Sequence, residues 1–380
     1  MKNLKKIFKN KTVIITGHTG FKGSWLALWM THLGAKVIGL SINIPTNPSN
    51  FVASKIKQKI IDKKCDVRNL KLLKKNVLKY KPDFIFHLAA QSLVKSSYLK
   101  PIYTWQTNTL GTLNILESAR YLKKKCVLVI ITSDKVYKNF EINRGYKEND
   151  ILGGPDPYSA SKASAEIAIQ SYIKSFYPKN RSSITVGVAR AGNVIGGGDW
   201  SRDRLVPDCV KSWVKNKRVL IRNPNSTRPW QHVLEAISGY IFLALNLKMN
   251  KNLHGQSFNF GPSNNKIYPV VSLVKLVKRF WKNIDWKIIN INKKNFFESK
   301  LLKLNSSKAK KILKWKTILT FEETIEMVSS WYKKYYFDNK KIELFSIEQI
   351  KKYEDLLKKR LAKLYDFKNE NCNIGWRSWN

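Results

Sequence analysis

Tyr158 and Lys162 stand four residues apart in PYSASKASAE. Pro157 sets up a helix start, and a spacing of just over one turn puts both side chains on one face. A lysine ammonium beside a phenol favours the phenolate. Such a tyrosine can take a hydroxyl proton while hydride leaves the same carbon. Ser133, Asp134 and Lys135 follow the apolar run CVLVIIT. If that run is a strand, the three lie at its carboxyl end, where ligands of open α/β sheets bind. Ser133 is placed to hydrogen-bond a substrate hydroxyl next to Tyr158. In a cleft, Asp134 and Lys135 offer one proton donor and one acceptor, which is what eliminating water requires; on an open surface they would be an ordinary salt-bridge pair. A simple oxidation or epimerisation needs only the tyrosine.

YxxxK recurs by chance, but here a glycine loop lies far upstream. Gly17, Gly20 and Gly23 form GxxGxxG directly after VIIT (13–16) and directly before SWLALWMTHLG. That context demands a tight turn, a backbone that approaches a pyrophosphate, and a helix N-terminus that holds it. Phe21 and Lys22 lie within the loop, and Lys22 can reach phosphate, although a solvated lysine is the plain alternative. Ala89, at the end of FIFHLAA, joins this cofactor set, and Asp66 and Val67, after the third strand, can reach an adenine or be an ordinary loop. The acid that often follows the second strand to bind ribose hydroxyls is missing. Ser41, Ile42 and Asn43 stand there instead, with no arginine for a 2′-phosphate, so these residues alone leave NAD and NADP open.

The elements needed to position these groups are visible as alternation. Apolar β-branched runs at 13–16, 37–40, 84–90, 126–133 and 184–190 are separated by helical stretches such as LKLLKKNVLKY and TLNILESARYLKK. Near-continuous apolar strands alternating with helices predict an α/β fold, a Rossmann-type doubly wound parallel sheet covered on both faces. The texture changes near 191 to glycine, Asp, Trp and Pro. We therefore expect an NAD-binding domain over 1–190 with a returning segment at about 233–262, where SFNFG (257–261) reads as one more strand. A smaller substrate-binding lobe over 191–345 and a helical, lysine-rich tail over 346–380 complete the expectation. Cys65, Cys126, Cys209 and Cys372 are scattered, without metal-ligand spacing, which fits reduced thiols in the cytoplasm and no metal. No run of apolar residues is long enough to span a membrane.

In these motifs the chain resembles the extended short-chain dehydrogenase/reductase superfamily and, within it, the CDP-glucose 4,6-dehydratase family. The similarity runs through VIITGHTGFKGSWLALWMTHLGAKVIGLS, HLAAQSLVKSSY (87–98), TWQTNTLGTLNILES (104–118), TSDKVY (132–137), RAGNVIGGGDWSRDRLVPD (190–208), TRPWQHVLE (227–235) and FSIEQIKKYEDL (345–356). Val136 departs from the cysteine usual there, and the last twenty or so residues have no counterpart. The resemblance implies NAD as cofactor and CDP-glucose as substrate. NAD+ takes hydride from C4 as Tyr158 takes the O4 proton, Lys135 and Asp134 expel the C6 hydroxyl as water, and hydride returns to C6. The product would be a CDP-4-keto-6-deoxyglucose, of the kind that feeds deoxysugars of bacterial surface polysaccharides. It further implies that Gln91, Asn193, Arg204 and Arg228 meet the substrate, the arginines suiting a pyrophosphate through bidentate geometry, and that Asn108 is structural. Homo-oligomers are common in this superfamily. The alternatives are a 4,6-dehydratase of another nucleotide-sugar (UDP-N-acetylglucosamine, dTDP-glucose or GDP-mannose type), a nucleotide-sugar 4-epimerase, in which Asp134 and Lys135 would lack a task, and a silent NAD-binding sensor.

The formal charge of +44 invites a nucleic-acid reading. However, 57 of the 70 basic residues are lysine, spread over the whole length without a basic patch or a binding motif. We read the excess as compositional drift and expect no nucleic-acid partner; the positive field still helps to draw in an anionic nucleotide-sugar.

Overall fold

Strands rich in buried residues on both sides require cover on both faces, and the chain supplies it with helices. The computed structural model describes residues 2–369 apart from 222–223, 263–267, 282–284, 289–301 and 339–340. Its main sheet contains β1 (Thr12–Thr16), β2 (Lys36–Ser41), β3 (Ile61–Lys64), β4 (Phe84–His87), β5 (Cys126–Ile131), β6 (Ile184–Ala191) and β7 (Ser257–Phe260). The spatial order is β7-β6-β5-β4-β1-β2-β3, and every neighbouring pair is parallel. This is the expected doubly wound sheet, with the late SFNFG segment returning to its edge.

Alternate strand residues divide the interior into two cores, as a period of two demands. Val13, Ile15, Phe84, Phe86, Val127 and Val129 enter one; Ile14, Ile85, Leu128 and Ile130 enter the other. The helices that matter here are α1 (Phe21–His32), α2 (Leu70–Tyr80), α3 (Gly111–Arg120), α4 (Pro157–Phe176), α5 (Leu205–Trp213), α6 (Val233–Met249), α7 (Phe321–Lys333) and α8 (Ile342–Asn369). Helices α1 and α6 pack into the first core, and α2, α3 and α4 into the second. Helix α1 is buried all round, with Trp25, Leu26, Leu28, Trp29 and Met30 all inside, so something must cover its outer side.

That cover is α8. The segment expected to be a lysine-rich tail is packed through Ile350, Tyr353 and Leu357, with lysines such as Lys351 and Lys352 on its exposed side. Trp29 donates to Glu354 Oε1 at 2.7 Å and meets the Tyr353 ring edge-on at 5.6 Å. The Tyr353 hydroxyl donates to Glu235 Oε2 of α6 at 2.7 Å, and Glu235 Oε1 accepts the backbone N–H groups of Ile318 and Leu319 at 2.7 and 2.6 Å. Burial pushes the Glu235 carboxyl up to about 7 despite these bonds. One buried acid thus joins α6, the chain entering α7, and α8. The expected residues 370–380 of the tail lie outside the described residues. No described helix is long and apolar enough to cross a membrane.

A buried ion pair ties α4 to β6. Arg190 Nε bonds both carboxylate oxygens of Glu166, at 2.8 and 3.0 Å, and Nη2 adds a third contact. Their side chains are only 3% and 1% exposed, so neither charge has water to fall back on. Removing one partner of such a pair leaves an uncompensated buried charge. Arg190→Met is therefore expected to destabilise the protein by about 3–5 kcal/mol, measured as a lowered urea midpoint; a midpoint unchanged from wild type would refute the account.

Candidate active site

Because all strands run parallel, their carboxyl ends share one edge. There β1 leads into Gly17, β4 into Ala89–Gln91, β5 into Ser133–Lys135 and β6 into Gly192–Asn193. Gly17 has φ +73°, and a Cβ on it would lie 2.8 Å from the Ala89 backbone. A Cβ on Gly23 would lie 2.1 Å from the Gly17 carbonyl oxygen. The first and third glycines are thus demanded by contact, and Gly20 is the N-cap of α1. The bare loop leaves the N–H groups of the α1 N-terminus available to an anion.

Ser133 ends the β5 run in extended conformation and accepts from Lys135 N at 3.2 Å, which starts a short 3-10 turn over Asp134–Val136. Its hydroxyl donates to Asp134 Oδ1 at 3.0 Å, and it lies near enough to the Tyr158 phenol to favour ionisation there. Asp134 is buried and Lys135 half-buried. A Cβ on Gly192 would come within 2.1 Å of the Asp134 carboxyl, so the residue after β6 must be glycine for this acid to fit.

Helix α4 begins as the sequence suggests, with Pro157 in the first turn and Asp156 accepting from Ser159 N at 3.0 Å. Tyr158 and Lys162 both point inward and are buried. Burial raises the Tyr158 phenol to about 12; Ser133 and the Arg204 charge oppose the rise, and Asp134 and Asp156 add to it. The expected depression by Lys162 does not occur in the protein alone. Lys162 Nζ donates instead to the Ile131 carbonyl at 3.2 Å, and burial, reinforced by repulsion from Lys22, lowers it to about 7. Burial and then Arg204 lower Lys22 to about 8, against the pull of Asp134 and Asp199.

Lys22, Asp134, Tyr158, Lys162 and Arg204 are thus electrostatic neighbours. Among the described residues, neither Lys22 nor Lys162 has a carboxylate at ion-pair distance. Two under-neutralised cations beside a bare glycine loop fit a dinucleotide's phosphates and hydroxyls.

Other expected contacts fall elsewhere or are already engaged. Arg204 pairs with Asp199 at 3.0 Å. Asn193 adopts φ +48°, and its carbonyl accepts from Gln231 N at 3.2 Å. Arg228 Nη1 donates to the Thr227 carbonyl at 2.9 Å. The Gln91 amide bonds Leu93 O and Thr104 Oγ1, and its Oε1 accepts Leu93 N at 2.7 Å, so the side chain also shapes its own loop. Asp66 is held by Arg68 in a bidentate pair on a partly exposed loop, and Val67 is buried, its carbonyl taken by Asn114 at 2.9 Å. Asn108 is structural as expected, bonding Gln91 O and N and Ser161 Oγ. The sequence reading missed Gly192, Asp199 and the Glu166–Arg190 pair. Of these only Arg190 carried a signal, as a charge inside an apolar strand.

Three comparisons place this geometry among known proteins. The family model described as GDP-mannose 4,6 dehydratase matches residues 14–328. A CDP-glucose 4,6-dehydratase of Salmonella typhimurium is 42% identical over 333 residues, covering 87% of this chain and 92% of the relative. A dTDP-D-glucose 4,6-dehydratase of Dictyostelium discoideum is 27% identical, with 88% and 84% covered. Among solved structures, a dTDP-glucose 4,6-dehydratase of Bacillus anthracis in complex with NAD superposes with a TM-score of 0.70 at 23% identity, covering 85% of this chain and 97% of that one. An epimerase of Methanothermobacter thermautotrophicus reaches 0.75 at 21% identity, with 89% and 97% covered. The chain belongs to the GDP-mannose 4,6 dehydratase family, within the extended short-chain dehydrogenase/reductase superfamily.

The two lysines give the site a pH signature. With pKa values of about 7 for Lys162 and about 8 for Lys22, a bound anion favours their charged forms and raises both values. Dinucleotide binding at pH 8 should therefore take up protons, and affinity should fall as pH rises through this range. Calorimetry of NAD+ binding in buffers of different ionisation enthalpy measures the uptake. A binding enthalpy independent of buffer would separate both lysines from the cofactor.

Proposed function

We propose that this chain is a CDP-glucose 4,6-dehydratase, converting CDP-D-glucose to CDP-4-keto-6-deoxy-D-glucose and water. The observation that carries the reading is the buried Asp134, with Lys135 beside it, at the Ser133 turn next to Tyr158. An epimerase would leave that acid and base without work. The 42% identity to the Salmonella enzyme supports the cytidine sugar.

NAD, held by Gly17, Gly20, Phe21, Lys22, Gly23, Ala89, Tyr158 and Lys162, would supply reversible two-electron chemistry, and its nicotinium charge would help to ionise the phenol. Tyr158 Oη takes the proton of the 4-hydroxyl, and Ser133 Oγ orients that hydroxyl. The ketone at C4 acidifies C5–H, whose proton Lys135 Nζ removes. Asp134 gives a proton to the C6 oxygen, which leaves as water. Asn193, Arg204 and Arg228 are assigned to the nucleotide-sugar, with Arg204 in the best position because its charge already reaches Tyr158 and Lys22. The reading keeps an NAD-binding unit over 1–190 and a substrate lobe over 191–345.

A homo-oligomer in the cytoplasm completes it. Leu99, Ile102 and Leu110, together with Ile167 and Phe176 of α4, expose large apolar surfaces of the kind that a second copy would cover. Cys65, Cys126 and Cys209 are free and buried. A monomer in sedimentation would refute the oligomer alone.

The chemistry divides by residue. Tyr158→Phe should slow formation of NADH from CDP-glucose, the first step. Lys135→Met should permit oxidation yet strand the enzyme as NADH and 4-ketoglucose nucleotide, and Asp134→Asn should slow water loss. Each defect should be about 10²–10⁴-fold, as for general acid–base groups. Single-turnover absorbance at 340 nm, with exchange of the C5 hydrogen in D₂O, separates the steps. If Lys135→Met still exchanged C5 at the wild-type rate, another residue would be the base.

A further inference from the structure

The turn that carries Asp134 and Lys135 is held at both ends by one ion pair. Before it, Thr132 Oγ1 donates to Glu166 Oε1 at 2.6 Å. After it, the Tyr137 hydroxyl accepts from Arg190 Nη1 at 2.6 Å and donates to Asn259 Oδ1 of β7 at 2.8 Å. Glu166 and Arg190 bond each other, and Glu166 lies four residues beyond Lys162 on the helix that presents Tyr158. Asn259 is itself immobilised: its Nδ2 donates to the carbonyls of Tyr146 and Asn305, at 2.8 and 3.2 Å, and its N–H to Glu148 Oε1 at 2.8 Å.

Tyr137 has more polar content than packing requires. Its ring stacks on Tyr146 at 5.1 Å and 21°, a contact that phenylalanine would keep. The hydroxyl adds direction, through one accepted and one donated bond, both buried. Burial also drives the phenol far above its ordinary value, so it keeps its proton and always has one to give Asn259. Two residues after Lys135, this clamp fixes where the turn ends. Tyr158 stands in the first turn of α4, whose start is fixed separately by the Asp156 cap.

We propose that Tyr137 is a positioning residue for the proton transfers at the Asp134–Lys135 turn. Its hydroxyl, held between Arg190 and Asn259, sets where the acid and base stand against the sugar ring. The proposal rests on the dehydratase reading and adds a residue to it.

Purified Tyr137→Phe and Asn259→Leu proteins, given CDP-glucose and NAD+ in D₂O, test it. The absorbance burst at 340 nm reports the Tyr158 step, and deuterium at C5 reports the Lys135 step on the same sites. Dividing exchange rate by burst amplitude counts only folded, NADH-forming enzyme. Both variants should keep the burst rate within about twofold and lose roughly 10- to 100-fold in exchange per site, the scale of an ångström-sized misplacement. Equal losses in both steps, or a wild-type ratio in either variant, would overturn the proposal. Wild-type protein that forms NADH without ever exchanging C5 would overturn the dehydratase reading and the proposal with it. Normal wild-type exchange matched by both variants would overturn the proposal alone.

Discussion

The Glu166–Arg190 pair is the constraint around which the candidate site is arranged. A carboxylate and a guanidinium shut away from water must find all their partners inside the protein. Here those partners are Thr132 at the end of β5, Tyr137 beyond the Asp134–Lys135 turn, Ser257 on β7 and the Glu148 carbonyl. Satisfying the pair therefore fixes the spacing between β5, β6, β7 and α4. Ser133, Asp134 and Lys135 stand one or two residues from Thr132 or Tyr137, so their placement follows from the electrostatics of the interior.

The electrostatics of the cleft are uneven in a useful way. Burial strips Lys22 and Lys162 of part of their charge, and each repels a further cation. Asp134 and Asp199 pull in the opposite direction without forming a pair with either lysine. The protein without cofactor thus holds a positive region that is costly to maintain and that an anion relieves. That matches the chemistry of a bound pyrophosphate better than that of a structural salt bridge.

Much of this was legible in the residues. The glycine loop, the YxxxK pair and the apolar strands declare themselves because each depends on local spacing: a turn, a helix face, a period. What escaped depends on contacts across the chain. Gly192 is required only because Asp134, far away in sequence, packs on it. The bonds that tie Gln91 to Leu93 and Thr104 within its own loop could not be read from the sequence either. Lys162 was expected to tune Tyr158, a pairing that helical spacing allows, but its ammonium turns to the Ile131 carbonyl. Strand β3 reads IDKK, half of it exposed at the sheet edge, and offers little apolar pattern to notice. Helix α8 was expected as a helix, but its many lysines hid the buried row of Ile350, Tyr353 and Leu357.

That last helix has a bearing on how the molecule comes into being. Helix α1, which opens the first half of the chain, leaves its Trp29 indole and outer apolar side without cover until Tyr353 and Glu354 arrive. On a ribosome the wait lasts on the order of tens of seconds. During that time the first half can form its strands, while the Trp29 side of α1 waits for α8. The first core is therefore completed only across a sequence separation of more than three hundred residues, and stays unfinished at this flank until α8 has emerged.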